Sequence, residues 1–144
     1  MSLHTDGTTR LVLVIGGYAF KFARGRKGCL CNLFEASTWS EATPARRKML
    51  CPVLACAPSG VLLVMPAARP LTAEEAQAHR EADSFPDWDY WPGDPTEPFE
   101  YKASDWGVLD GHLVALDYSA PAIPFDDEDA SPPSSPTTGG AGAS

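Results

Sequence analysis

The stretch from Glu100 to Ser119, EYKASDWGVLDGHLVALDYS, constrains the fold of this chain more than any other. Two short runs rich in strand formers, Trp106 to Leu109 and His112 to Leu116, flank Asp110-Gly111. An Asp-Gly pair between such runs is the strongest short-range signal for a two-residue hairpin. A hairpin returns the chain on itself, so Asp105 and Asp117 are predicted to meet at its open end. Glu100 and Lys102 lie just upstream. Two carboxylates held together beside a lysine suit Mg²⁺ and a polyphosphate, because Mg²⁺ takes one or two carboxylates and completes its shell with substrate oxygens.

Similar turn chemistry organises the first half. Leu11 to Ile15 and Tyr18 to Arg24 are apolar or alternating runs around Gly16-Gly17, which predicts a hairpin with Lys21 in its second strand. Fourteen residues on, Glu35 sits in CNLFEASTW, a predicted helix that brings a carboxylate toward Lys21. A further strand pair is predicted over Leu50 to Cys56 and Val61 to Met65. The stretch Met65 to Leu71 then leads to a helix whose start is marked by Thr72 and Glu75 as a capping box.

The spacing of Glu100, Lys102, Asp105 and Asp117-Tyr118-Ser119 resembles the catalytic and metal-binding loops of protein kinases. There an Asp is followed two residues later by Lys and five later by Asn, then by a hairpin ending in Asp-Phe-Gly. The resemblance covers residues 10 to 119. It implies an α+β, truncated protein-kinase-like fold: an antiparallel N-terminal sheet with one helix, a short helical segment and a C-terminal β-hairpin. It also implies roles. Lys21 stands where the phosphate-binding lysine would, with Glu35 as its partner. Gly16 and Gly17 are what remains of the glycine-rich loop, Glu100 with Lys102 beside it occupies the place of the catalytic base, and Asp105 and Asp117 are the metal ligands.

The departures are equally specific. No third glycine follows Gly17, Pro98-Phe99-Glu100 replaces His-Arg-Asp, Asp105 replaces the Asn and Ser119 replaces the final Gly. The segments that bind a peptide substrate have no counterpart. Positioning supplies most of phosphoryl-transfer catalysis, so these losses point to a non-catalytic kinase-like protein without cofactor that binds and modulates or inhibits a protein partner. The retained spacing supports the alternative, a minimal phosphotransferase using ATP and Mg²⁺. A small acidic protein of this kind would suit a phage or mobile element that blocks a host factor.

Charge is uneven along the chain. Residues 1 to 60 hold eight Lys/Arg and three Asp/Glu, giving +5, whereas residues 61 to 144 hold three and sixteen, giving −13. Arg24, Arg26 and Lys27 read as a basic loop, and Arg46, Arg47 and Lys48 as part of a short helix opened by Thr43 and Pro44. The acidic half interleaves Asp87 and Asp89 with Trp88, Tyr90 and Trp91. One reading makes this a Pro-rich loop whose aromatics cap the core; the other makes it a docking surface for a protein with a basic face. Direct binding of nucleic acid is disfavoured by repulsion.

The chain is long enough for one domain. Residues 1–9 are expected to be a flexible N-terminus. Residues 10–125 make a single domain, divided at 66/67 into a small lobe and a remnant of a large one, and 126–144 are a disordered acidic and Pro/Ser/Gly tail. No apolar run approaches the ~20 residues needed to span a bilayer, and no secretion signal is evident, so a soluble cytoplasmic protein without membrane contact is expected. Cys29, Cys31, Cys51 and Cys56 lack the common C-x-x-C spacing and read as free thiols rather than zinc ligands.

Overall fold

The computed structural model describes residues 2–6, 9–88 and 97–119, the first of these as backbone alone. The tail expected from Asp126 lies outside them. The fold is α+β, with two antiparallel sheets.

The first sheet grows from a hairpin of β2 (Arg10–Ile15) and β3 (Tyr18–Ala23). Their connection is Gly16-Gly17, with φ of 59° and 85°. Two successive positive φ angles make the turn whose twist matches paired strands, and glycine adopts them without a Cβ penalty. Asp110-Gly111, at 52° and 84°, repeats the device between β7 (Trp106–Leu109) and β8 (His112–Ala115). To the first hairpin are added β5 (Leu62–Pro66), the two-residue β4 (Ala55–Cys56) and β1 (Ser2–Asp6), in the order β1-β2-β3-β5-β4. Residues 2–6, expected to be part of a flexible terminus, thus pair with β2 from Ser2↔Val14 to Asp6↔Arg10.

Two further expectations are corrected. Leu50 to Cys56 is not one strand: Cys51 N–H donates to the Ala115 carbonyl at 2.9 Å, whereas Leu54 N–H donates to that of Val64 at 2.8 Å. The segment therefore crosses from one sheet to the other, and Pro52, lacking an N–H, stands where the ladder breaks. Arg26 and Lys27 do not form a loop but begin helix α1 (Arg26–Glu41), which starts five residues before CNLFEASTW. Gly28 allows that start, since a Cβ there would strike the Thr9 carbonyl and Ala23. The short helix α2 (Pro44–Arg47) is capped as expected, Thr43 Oγ1 accepting from Arg46 N–H at 3.2 Å.

The second sheet is β6 (Arg69–Pro70), β7 and β8. Helix α3 (Ala73–Ala82) opens on the expected capping box, Thr72 and Glu75 exchanging bonds of 3.0 and 2.9 Å. Arg69 adds a surface ion pair that, with the Thr72 backbone bond, lowers the Glu75 pKa to about 2. No helix among the described residues is long and apolar enough to cross a membrane.

The core lies between Leu63 and Met65 of β5 and the second sheet, around a fully buried Trp106. Phe99 packs edge-on against Trp106 at 4.8 Å between centroids, and Trp88 edge-on against Phe99 at 5.5 Å. Trp88 is 5 % exposed, and the Arg46 guanidinium lies 4.2 Å from its ring centroid. Trp88 is therefore not a partner-binding anchor but the core-capping residue of the alternative reading. Asp87 is exposed, and Asp89, Tyr90 and Trp91 lie outside the described residues. Replacing Trp88 with Ala should cost about 3–5 kcal/mol of stability in urea unfolding, as for other buried aromatics; a loss below about 1 kcal/mol would be incompatible with this packing.

Candidate functional site

Helix α1 turns a polar stripe inward. Its buried residues are Gly28, Cys31, Asn32 and Glu35, spaced i, i+3, i+4, i+7 on one face, while Leu30 and Leu33 are exposed. The sheet answers with two cations. Arg10 is 1 % exposed, Lys21 5 % and Glu35 0 %.

The geometry satisfies Glu35 from four directions. Arg10 Nη1 donates to Oε1 at 2.8 Å and Nη2 to Oε2 at 3.1 Å, a two-pronged pairing that fits guanidinium to carboxylate. Lys21 Nζ donates to Oε1 at 3.0 Å, and Tyr118 N–H to Oε2 at 2.9 Å. The Lys21–Glu35 pair expected from sequence is thus present. Lys21 Nζ donates in addition to the Leu116 carbonyl. Arg10 reaches further: Nη1 donates to Asn32 Oδ1 at 3.1 Å, and Nη2 to Asp117 Oδ1 at 3.1 Å. Ser119 Oγ also donates to Asp117 Oδ1, at 3.0 Å. Asn32 Nδ2 donates to the Lys21 and Gly60 carbonyls at 3.0 and 2.8 Å. Two cations and two carboxylates cancel, which makes burial of the group tolerable.

A second group adjoins the first. The open end of the β7–β8 hairpin brings Asp105 to Asp117 as predicted, Leu116 N–H donating to the Asp105 carbonyl at 2.7 Å. Asp105 Oδ2 accepts from Glu100 N–H at 2.9 Å. Burial, followed by the charge of Asp117, raises the Asp105 pKa from 3.8 to about 7. Glu100 itself turns outward, 66 % exposed, and meets Lys102 Nζ at 3.4 Å. Although burial lowers the Lys102 pKa, Asp105 and then Glu100 raise it more.

Gly16 and Gly17 stand apart. Lys21 pairs with Val12, so the turn lies four residues up the strand, about 13 Å away. The turn is a tight two-residue connection whose Gly17 carbonyl accepts from Ala67 N–H at 2.8 Å. It is not a loop free to close over phosphates.

The residues expected to hold Mg²⁺ and ATP are engaged with one another and with the backbone. Asp117 Oδ1 accepts from the Arg10 guanidinium, and Lys21 Nζ donates to Glu35 and to a backbone carbonyl. Among the described residues no group of three or more His, Cys, Asp or Glu side chains could hold a metal ion. The four cysteines are free thiols, and burial pushes the Cys51 pKa up to about 12, which leaves no thiolate there at neutral pH.

Sequence reasoning missed Arg10, Asn32 and Ser119. Strand β2 reads Arg-Leu-Val-Leu-Val-Ile, apolar at both parities after Arg10, so alternation cannot say which side its first residue faces. Asn32 had a usable signal, standing three residues before Glu35 on one helix face. The chain matches no protein-family model, no curated protein and no solved structure.

Two measurements probe the site. Arg10→Met leaves Glu35 and Asp117 short of their shared cation and should cost about 3–5 kcal/mol, the scale for breaking a buried pair from one side; a neutral result in denaturant titration would contradict the geometry. Asp105 holds its proton more tightly folded than unfolded, so its contribution makes stability fall as pH rises from about 4 to about 7. Asp105→Asn should flatten the stability curve over that window and raise stability at pH 8 by up to a few kcal/mol. A variant less stable than the parent at pH 8 would refute the assignment.

Proposed function

We propose that the chain is a non-catalytic kinase-like protein that acts by binding a protein partner, whose activity it modulates or inhibits. What carries this reading is Arg10. A kinase-like cleft needs its lysine and metal-binding aspartate open to nucleotide, and here one buried guanidinium joins Glu35 to Asp117 and occupies both. The order of elements and the Lys21–Glu35 pair support the kinase-like part. The −13 charge of residues 61 to 144 supports a partner with a basic face and argues against nucleic acid. With Trp88 committed to the core, the proposed contact rests on Asp87, Asp89, Tyr90 and Trp91. Free thiols suit a reducing, cytoplasmic setting.

The test is thermal unfolding with ATP and Mg²⁺. A ligand at 100 times its dissociation constant adds about 2.7 kcal/mol, a shift of several degrees. We expect no shift. A clear one that disappears in Asp117→Asn would favour the minimal phosphotransferase instead.

A further inference from the structure

Three cations crowd one corner of the molecule. Arg24 precedes helix α1, and Arg26 and Lys27 open it; Arg24 and Arg26 are exposed and Lys27 is half-buried. Cations there meet the positive end of the helix dipole, where acidic residues are the stabilising choice, and the first turn of α1 holds none. Among the described residues neither Arg24 nor Arg26 forms an ion pair. The other basic cluster is already committed. Arg46 donates to the Trp88 carbonyl at 3.0 Å and covers its ring, and Arg47 donates to the Trp39 and Ser40 carbonyls at 3.0 and 3.1 Å.

The described chain ends beside the first cluster. Ser119 Oγ accepts from Arg10 Nη2 at 3.3 Å, and Arg10 pairs across the ladder with Ala23, the residue before Arg24. One arginine side chain, one ladder rung and one backbone step put Arg24 within about 20 Å of Ser119. Between Ala120 and Ser144 the charged side chains are Asp126, Asp127, Glu128 and Asp129 alone, consecutive and all acidic. The seven positions from Ser119 to Asp126 reach up to about 24 Å at full extension.

We propose that this acidic run folds back on Arg24, Arg26 and Lys27 of the same chain. Exposed ion pairs are individually weak, but a short tether holds the run at an effective concentration in the millimolar range, so several together are populated within one molecule. The run relieves the repulsion of the three cations and supplies the negative charge that the start of α1 lacks. The basic corner is then closed to other anionic groups unless they displace the run. The proposal is independent of the kinase-like reading.

The test is ¹H–¹⁵N NMR of the full chain. Replacing Asp126, Asp127 and Asp129 with Asn and Glu128 with Gln should move the amide signals of residues 24 to 29 and leave those of α2 and α3 in place. Raising salt from about 0.1 to about 1 M, which shortens the Debye length from about 10 to about 3 Å, should move the same signals in the parent and much less in the neutralised variant. Arg24→Glu combined with Arg26→Glu should make them indifferent to the tail substitutions, with circular dichroism like the parent's. Dilution by about tenfold should change nothing, since the contact is within one chain. Signals at residues 24 to 29 that ignore the tail substitutions overturn the proposal. A response at Arg46, Arg47 and Lys48 instead overturns it by seating the run on α2, and one that fades on dilution overturns it by making a second copy's tail the occupant.

Discussion

One carboxylate organises this molecule. Glu35 is wholly buried and accepts hydrogen bonds from Arg10 on β2, Lys21 on β3 and the Tyr118 backbone beyond β8, while its own helix carries Asn32 to the sheet. A buried carboxylate without such donors would be protonated or would expel its helix from the sheet. With them, four segments distant in sequence are fixed to one point. The C-terminal hairpin is held to the first sheet at the same place, because the Arg10 guanidinium spans Glu35 and Asp117.

The same arrangement sets the charge balance of the site. Nucleotide chemistry at a lysine and an aspartate depends on charge that substrate and metal can neutralise. Here the neutralisation is internal. Arg10 fills that role with a group that cannot deprotonate and whose planar fork matches a carboxylate, so displacing it would strand Glu35 in the interior. Removal of any one member leaves the others uncompensated, which ties the folding of the chain to this network. Asp105 is the exception. It stands at the edge of the network beside Asp117 and exposed Lys102, and burial, followed by the charge of Asp117, raises its pKa.

What was legible in the sequence was whatever local chemistry fixes alone. Both two-residue turns, the Thr72–Glu75 and Thr43 caps and the closeness of Asp105 to Asp117 follow from residues next to one another. What escaped depended on partners far away. Arg10 meets Asp117 across 107 positions, and no pattern in either neighbourhood announces it. Residues 50 to 56 are apolar throughout, yet their N–H groups divide between two sheets at Pro52. Trp88 sits in an acidic, Pro-rich stretch that reads as surface, but its ring completes an edge-on aromatic cluster with Phe99 and Trp106. For α1, the buried stripe is polar and the exposed one holds Leu30 and Leu33, so the usual search for an apolar face points the wrong way.

That inversion has a physical origin in the ion cluster. A sheet covered on one face by a helix ordinarily sends its aromatics under the helix, where each contributes about 1.5–3 kcal/mol by burial. In β3 the position under α1 is taken by Lys21, and the alternation of a strand then forces Tyr18, Phe20 and Phe22 to the opposite side. Small Ala19 and Ala23 flank the lysine and leave room for the Glu35 carboxylate and the Arg10 guanidinium, which bulky neighbours would not. The sheet thus forgoes apolar burial inside to hold a polar network, and the apolar surface displaced by that choice lies on its outer face. The internal charge cluster and the external apolar face are two consequences of a single register.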